Sequence, residues 1–78
     1  MIIKGKEVTY TYHLYERLYR VKDIDVVNET LLTGEWNAFG KDMFKVSRKF
    51  KKRKITLVVK ELPDRFKVIT VEGDKHEM

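Results

Sequence analysis

The stretch MFKVSRKFKKRKITLVVKELPDRFKVITVE, residues 43–72, decides the fold because three apolar-rich runs follow one another in it. The first run, MFKVSRKF, alternates between two faces, with Phe44, Val46, Arg48 and Phe50 on one of them. The second run, KITLVVKEL, is apolar on both faces and indicates a central strand. The turn sequence LPD separates it from the last run, RFKVITVE. The stretch therefore predicts three consecutive antiparallel strands.

Two helical patterns precede these strands. From Thr11, a predicted N-cap, the run TYHLYERLYR places Leu14, Leu18 and Val21 at positions i, i+4 and i+7. The run DIDVVNETLLTG has an apolar stripe at helical spacing, acidic residues in its first turn, and Gly34 just after its last turn. Together the two runs predict a helical hairpin.

Two further segments complete the predicted architecture. The run IIKGKEVTY, residues 2–10, predicts one short strand bent at Gly5. The run EWNAFGKD, residues 35–42, predicts a loop with two aromatic residues, Trp36 and Phe39, at least one of which folds back on the core. The predicted order is β-α-α-β-β-β, an α+β fold in which a helical hairpin packs on one face of an antiparallel sheet. No repeat or linker divides the chain, so we expect a single domain over residues 1–78.

Composition excludes several classes of protein. A domain of 78 residues buries only about 60% of its unfolded surface, so its core is small. The chain has no cysteine, which excludes disulfides and thiolate metal sites. No run approaches the roughly 18 apolar residues of a membrane span, and the N-terminus has no apolar signal region. We therefore expect a soluble, cytoplasmic protein.

Positive charge is concentrated in the second half of the chain. Residues 1–42 hold six Lys/Arg and seven Asp/Glu, a net charge of −1, whereas residues 43–78 hold eleven and five, a net of +6. Within residues 45–54, KVSRKFKKRK, seven of ten side chains are cationic and none is acidic. Such a cluster at a hairpin favours an anionic partner, with nucleic acid the first candidate. The predicted nucleic-acid-binding residues are Arg20, Lys45, Lys49, Lys51, Lys52, Arg53 and Lys54.

The first helix carries a second group of candidate residues. His13, Arg17 and Arg20 fall within about 60° of one another around the helix axis. A histidine beside guanidinium groups suits phosphate chemistry, because His exchanges protons near neutral pH and Arg binds phosphate through two hydrogen bonds. A structural role, in which these side chains bond backbone carbonyls, stays open. No glycine-rich nucleotide loop or zinc spacing is present, and Asp74 and His76 lack further ligands, so we expect no metal or cofactor.

The runs YHLYERLYR, DIDVVNETLLTG, ITLVVKEL and FKVITVEG resemble a small family of uncharacterised proteins. That family has a His-x-x-x-Arg motif, a second helix and a strand pair that ends in a Val-Ile-Thr-Val-like run, and it is similar to the RelE/ParE and BrnT toxins of toxin–antitoxin modules. The resemblance covers about residues 6–73; His13 and Arg17 match the motif, and Arg20 matches a following basic position.

The resemblance implies a compact β-α-α-β-β-β fold and an endoribonuclease of the mRNA interferase type, or a relative that kept the fold without the activity. An active enzyme would use His13 as general acid or base and Arg17 to stabilise the anionic transition state, with Arg48 as a third catalytic residue on the sheet. The implied partners are RNA, including ribosome-bound mRNA, and an acidic antitoxin protein.

A second class of function remains open, a non-catalytic basic module that binds an acidic protein or nucleic acid. In either case the small core, and the aromatic residues placed in a loop, lead us to expect a homodimer or an obligate partner that covers apolar surface.

Overall fold

The computed structural model of the chain describes residues 1–18, 24–50 and 53–74. For residues 73 and 74 it describes the backbone alone. Its elements are β1 Ile2–Ile3, β2 Lys6–Tyr10, α1 Tyr12–Glu16, α2 Ile24–Thr33, β3 Glu35–Gly40, β4 Met43–Phe50, β5 Arg53–Glu61 and β6 Arg65–Asp74. The strands form one sheet in the order β1-β2-β6-β5-β4-β3. The predicted α+β class is confirmed. The sheet is mixed rather than antiparallel, because β2 and β6 run parallel.

The three strands of residues 43–72 are confirmed, and they form the centre of the sheet. β5 lies between β4 and β6 and is antiparallel to both. Val46 stands opposite Leu57, which stands opposite Val71, and all three side chains are fully buried. The predicted alternation of β4 is also correct, since its buried Val46 lies between the exposed Lys45 and the partly exposed Ser47.

The N-terminal segment forms a hairpin, so the prediction of one bent strand is wrong. β1 pairs with β2 in antiparallel fashion, with Ile3 opposite Lys6. The two residues between the strands, Lys4 and Gly5, both have positive φ, 53° and 81°. Two consecutive residues in this region make the tight turn whose twist matches that of a hairpin. Gly5 adopts this conformation without strain, which is why the chain reverses here instead of bending.

The predicted loop at residues 35–42 is also wrong, because Glu35–Gly40 forms the edge strand β3, paired with β4. Its side chains are mostly exposed, so the segment lacks the apolar alternation that identifies a strand in a sequence. Trp36 folds back on the core as expected, whereas the side chain of Phe39 stays 51% exposed.

The two helices cover one face of the sheet. α1 is short, and Thr11 is its N-cap as predicted, accepting a hydrogen bond from the backbone N–H of Leu14 at 3.0 Å. Leu14 is fully buried in the core. The prediction that this helix continues towards Arg20 is wrong in the described residues, because α1 ends at Glu16 with Arg17 as its C-cap. Arg20 itself lies outside the described residues. α2 buries Val27 and Leu31 against the same core.

Gly34 ends α2, as the sequence predicts, but for a different physical reason. Its N–H donates to the Thr30 carbonyl at 2.7 Å, and its φ lies outside the left-handed region. A Cβ at this position would stand 2.5 Å from the Thr30 carbonyl oxygen and 2.7 Å from that of Ser47. Glycine is therefore required because the end of α2 approaches the backbone of β4 closely.

A bulge in β6 anchors the start of α1. Val58 stands opposite Thr70 but Val59 stands opposite Val68, so Ile69 is an extra residue in β6. The Thr11 hydroxyl donates to the Ile69 carbonyl at 2.7 Å, and the Thr11 N–H donates to that of Val68 at 3.1 Å. The junction between β2 and α1 is thereby fixed on the neighbouring strand.

The sheet curls around its helix-covered face. In a flat sheet, five strand spacings of about 4.8 Å would separate the two edges by roughly 24 Å. Yet Lys4, at the β1–β2 edge, has its Nζ 5.0 Å from the ring centroid of Trp36 in the opposite edge strand. The Trp36 ring also contacts Phe66 of β6, at 5.3 Å between centroids. We call the concave, helix-covered side the inner face and the opposite side the outer face. In the described ranges, no helix is long and apolar enough to span a bilayer.

Candidate nucleic-acid interface

The strand register assigns each side chain to one face of the sheet, because directly opposed residues point the same way. The outer face has four rows that run across the strands. The rows are Lys49–Lys54, Glu35–Ser47–Thr56–Glu72, Asn37–Lys45–Val58–Thr70 and Met43–Lys60–Lys67–Thr9. Where side chains are described, none in these rows is buried, so the outer face is open to solvent.

Two adjacent rows of the outer face contain three exposed lysines, Lys45, Lys60 and Lys67, which we call the lysine patch. Lys60 stands directly opposite Lys67, and Lys45 is the diagonal neighbour of Lys60 across β4 and β5. Directly opposed residues have Cβ atoms about 5 Å apart, and like charges at this distance are destabilising. In the part of the chain that the structure describes, none of the three makes an ion pair. The two rows contain no acidic residue.

The predicted nucleic-acid-binding lysines divide into two groups on the outer face. Lys45 belongs to the lysine patch, while Lys49 and Lys54 stand opposite each other at the end of β4 and β5. The row between the groups carries Glu35 and Glu72 at its ends. Beyond the patch on the other side, Glu7 stands opposite Arg65. The patch is thus an acid-free area with carboxylates at its margins.

The remaining predicted binding residues lie elsewhere. Arg53 stands opposite Phe50, which places it on the inner face, away from Lys49 and Lys54. Arg20, Lys51 and Lys52 lie outside the described residues. Sequence reasoning missed Lys60 and Lys67, because only the register of β5 with β6 shows that they share the face of Lys45.

Phe39 is a further outer-face residue that the sequence did not identify. The pairing of β3 with β4 shifts between Ala38 and Gly40, and Phe39 is the extra residue at this irregularity. The Lys45 Nζ lies 5.3 Å from the centroid of the Phe39 ring, within cation–π range, so the ring lies beside the lysine patch. Half of this aromatic side chain remains accessible.

The two phenylalanines of β4 lie on the inner face. Phe44 packs edge-on against Trp36 with 5.4 Å between ring centroids. Phe50 lies under the guanidinium of Arg48, whose Cζ is 4.4 Å from the ring centroid. Neither ring offers a surface to a ligand on the outer face.

Arg48, predicted to be catalytic, joins a helix to the sheet. Its Nη1 donates to Glu29 Oε2 at 2.6 Å and to Thr33 Oγ1 at 2.9 Å, so that β4 is tied to the second half of α2. With a carboxylate, a hydroxyl and the Phe50 ring as neighbours, the guanidinium already has partners within the protein.

His13 and Arg17 both lie on or next to α1, one helical turn apart. His13 is exposed, and Arg17 is the half-buried C-cap residue, whose N–H donates to the Leu14 carbonyl at 2.9 Å. Because α1 packs on the inner face through Leu14, the pair lies across the sheet from the lysine patch. Among the described contacts, none joins either residue to Arg48. The fold therefore does not assemble the three predicted catalytic residues into one cluster.

A tyrosine pair links β2, α1 and α2. The Tyr10 hydroxyl donates to Asn28 Oδ1 at 2.5 Å, and its ring lies 6.1 Å from that of Tyr15. Burial raises the pKa of Tyr10, and the neighbouring Tyr15 phenol raises it further. The raised pKa results from the packing of β2 against α1 and α2 on the inner face, away from the lysine patch.

Among residues 1–18, 24–50 and 53–72, no three His, Asp or Glu side chains come together in a group that could hold a metal ion. His76, considered with Asp74 as a ligand, lies outside the described residues.

Comparisons of the chain with known protein families, with curated proteins and with solved structures give no significant match. Function is therefore inferred from the two faces of the sheet.

Proposed function

We propose that this protein is an RNA-binding module that holds the phosphate backbone on the outer face of its sheet. The observation that carries the proposal is the lysine patch, in which Lys60 and Lys67 are directly opposed without an acidic residue in their rows. Because such an arrangement is unfavourable in the free protein, an anionic ligand would relieve the repulsion between the lysines.

The shape of the outer face favours single strands over duplex DNA. Sequence-specific proteins read duplex DNA with a helix or a narrow β-ribbon that enters the major groove. The described outer face is a broad convex surface of four adjacent strands, β6, β5, β4 and β3. Broad sheet surfaces bind RNA through charge and stacking, which is the mode we propose.

The salt dependence of RNA binding tests this proposal. Each phosphate neutralised on a single strand contributes about −0.7 to the slope of log K against log salt. We expect Lys45→Gln, Lys60→Gln and Lys67→Gln each to reduce the magnitude of that slope by about 0.7. The measurement is fluorescence anisotropy of a labelled 12-nucleotide RNA at several NaCl concentrations.

Lys4→Gln is the matched control, because it removes the same charge from a lysine that lies over Trp36 at the sheet edges. Its slope should equal that of the unmodified protein. Equal slopes for all four variants would overturn the proposal. Salt-dependent binding of polyglutamate in the absence of any RNA binding would also overturn it, and would favour an acidic protein, such as an antitoxin, as the partner.

The toxin-type relationship is part of the proposal. From β2 onward the order of elements is β-α-α-β-β-β-β, which is the order of the RelE/ParE and BrnT toxins with one further strand, β3. In a toxin–antitoxin module, a cytoplasmic protein of this kind would bind free or ribosome-bound mRNA. The toxin-type assignment rests on fold-level analogy, whereas RNA binding rests on the lysine patch.

Endoribonuclease activity is a second candidate, favoured by the exposure of His13 one turn from Arg17. In the proposed reaction the ribose 2′-OH attacks the adjacent phosphorus and His13 removes its proton. The 5′ oxygen leaves and takes up a proton, giving a 2′,3′-cyclic phosphate, while Arg17 binds the anionic transition state. Because His13 and the lysine patch lie on different sides of the sheet, the RNA would have to pass around a sheet edge.

If the protein is an enzyme, His13→Ala should abolish cleavage. The affinity of this variant for a non-cleavable 2′-deoxy analogue should be unchanged. Cleavage that persists in His13→Ala would exclude His13 from the mechanism. No cleavage by the unmodified protein, with free or ribosome-bound mRNA, would leave the protein a binding module.

A further inference from the structure

We propose that Phe39 is a stacking platform for one nucleobase, so that the outer face binds RNA as a single strand with at least one base turned towards the protein. The inference rests on the proposed RNA binding and specifies its substrate class. It starts from a half-exposed phenylalanine ring next to the cations that would bind the phosphates.

Phe39 is not among the side chains that pack against the core. Trp36 performs that role for β3, since its ring contacts Phe44 and Phe66 on the inner face and its Nε1 donates to the Leu31 carbonyl at 3.1 Å. The ring of Phe39, by contrast, lies on the outer side, beside Lys45. Because Trp36 anchors β3, the exposed ring of Phe39 is available to a ligand.

The ring leaves room for a base, because Phe39 is 51% exposed. On the same face, the exposed amide of Asn37 stands opposite Lys45, two residues before Phe39 along the strand. A base stacked on Phe39 would thus have an amide donor and acceptor near its edge.

The cations extend from the ring in one direction. Phe39 lies in β3, Lys45 in β4, Lys60 in β5 and Lys67 in β6, which are consecutive neighbours in the sheet. A single strand that stacks one base on the ring could therefore place the following phosphates along these lysines, across the direction of the β-strands. In a duplex the bases are already stacked and paired, so the ring could contact a base only after it is extruded.

The test compares Phe39→Leu and Phe39→Trp with the unmodified protein on the same 12-nucleotide RNA. Base–aromatic stacking contributes about 1–3 kcal/mol per base, so Phe39→Leu should weaken single-strand binding by roughly 5- to 150-fold. Its salt slope should not change, because no cation is removed. Phe39→Trp should retain the affinity. Binding of a blunt-ended duplex should be equal for Phe39→Leu and the unmodified protein.

Tyr12→Leu is the matched control, since Tyr12 is an aromatic residue of α1 that is 78% exposed and lies away from the outer face. It should leave affinity unchanged, and thermal melts should show that both leucine variants are folded. If the unmodified protein binds no RNA at any salt concentration, the proposed function fails. If it binds with the lysine-dependent slope and Phe39→Leu binds equally well, only the stacking inference fails.

Discussion

The effect of a small substitution on stability depends on the atoms that the added group would contact. Gly34 is the sharpest case, because a Cβ there would overlap two backbone carbonyls, those of Thr30 and Ser47, and neither belongs to a flexible side chain. We expect Gly34→Ala to lower the free energy of unfolding by about 1–3 kcal/mol, as the end of α2 is pushed away from β4. Urea denaturation followed by circular dichroism measures this change.

Gly40→Ala is the control for that experiment, since the same added methyl group meets nothing closer than 3.9 Å. Its unfolding free energy should stay within about 0.5 kcal/mol of the starting value. Equal losses at the two positions would contradict the close approach of α2 to β4.

Ionisation of Tyr10 should lower the free energy of unfolding at alkaline pH. Burial raises the pKa of Tyr10 in the folded protein, so the folded state holds the phenolic proton more tightly than the unfolded state. This contribution to stability is fully present below about pH 10 and is lost as pH rises through the folded pKa. Tyr10→Phe should therefore remove part of the loss of stability above pH 10, as measured by urea unfolding between pH 8 and pH 11.

Tyr12→Phe provides the comparison, since it removes the same hydroxyl group from a side chain that is 78% exposed. The Tyr10→Phe protein also lacks the hydrogen bond to Asn28, which lowers its stability at every pH and does not alter the slope. Parallel alkaline profiles for the two variants would show that Tyr10 titrates normally.

Residue-level predictions from the sequence succeeded where the deciding interaction is local. Thr11 was predicted as an N-cap because its hydroxyl needs only the N–H three residues later, and that bond is present. The position of Phe39 beside Lys45 depends on an irregularity in strand pairing, which has no local signature. The candidate binding surface was therefore only partly predictable.

Among the elements, α2 and β4 are joined by the ion pair between Glu29 and Arg48. Substitutions in this pair can test whether Arg48 has a structural or a catalytic role. Glu29 is 55% and Arg48 32% exposed, so we expect the ion pair to contribute no more than about 1 kcal/mol. A double-mutant cycle with Glu29→Gln and Arg48→Met should give a coupling free energy of about 0.5 kcal/mol in thermal or urea unfolding.

The same pair of variants also bears on chemistry. If any RNA cleavage is detected and Arg48 acts only by holding α2 on the sheet, Glu29→Gln and Arg48→Met should retain cleavage to a similar extent. A selective loss of cleavage in Arg48→Met would assign Arg48 a direct role.

The strands that the sequence revealed are those that carry a recognisable apolar pattern. β4, β5 and β6 were found because each carries its own apolar pattern. β3 was missed because, as an edge strand, it exposes most of its side chains. The parallel pairing of β2 with β6 was missed because it joins distant segments, and no hairpin turn predicts it.

At the scale of the whole molecule, the state of assembly stays a prediction. Trp36 packs against the core, so this residue gives no reason to expect a partner. Ile2, Leu32 and Tyr15 are 64%, 64% and 52% exposed, and covering such residues is a usual function of an interface. We expect a homodimer at micromolar concentration, and sedimentation equilibrium measures it. A monomer mass across the micromolar range would contradict this expectation.

The parallel pairing of β2 with β6 also has a consequence for how the chain acquires its structure. Thr11 and Ile69 are joined by a hydrogen bond although they are 58 residues apart in sequence. During synthesis, β3, β4, β5 and β6 can pair with their sequence neighbours as they leave the ribosome, whereas β2 waits for β6. We therefore expect the N-terminal hairpin to dock last, and we expect two fragments divided between β2 and α1 to reassemble when mixed.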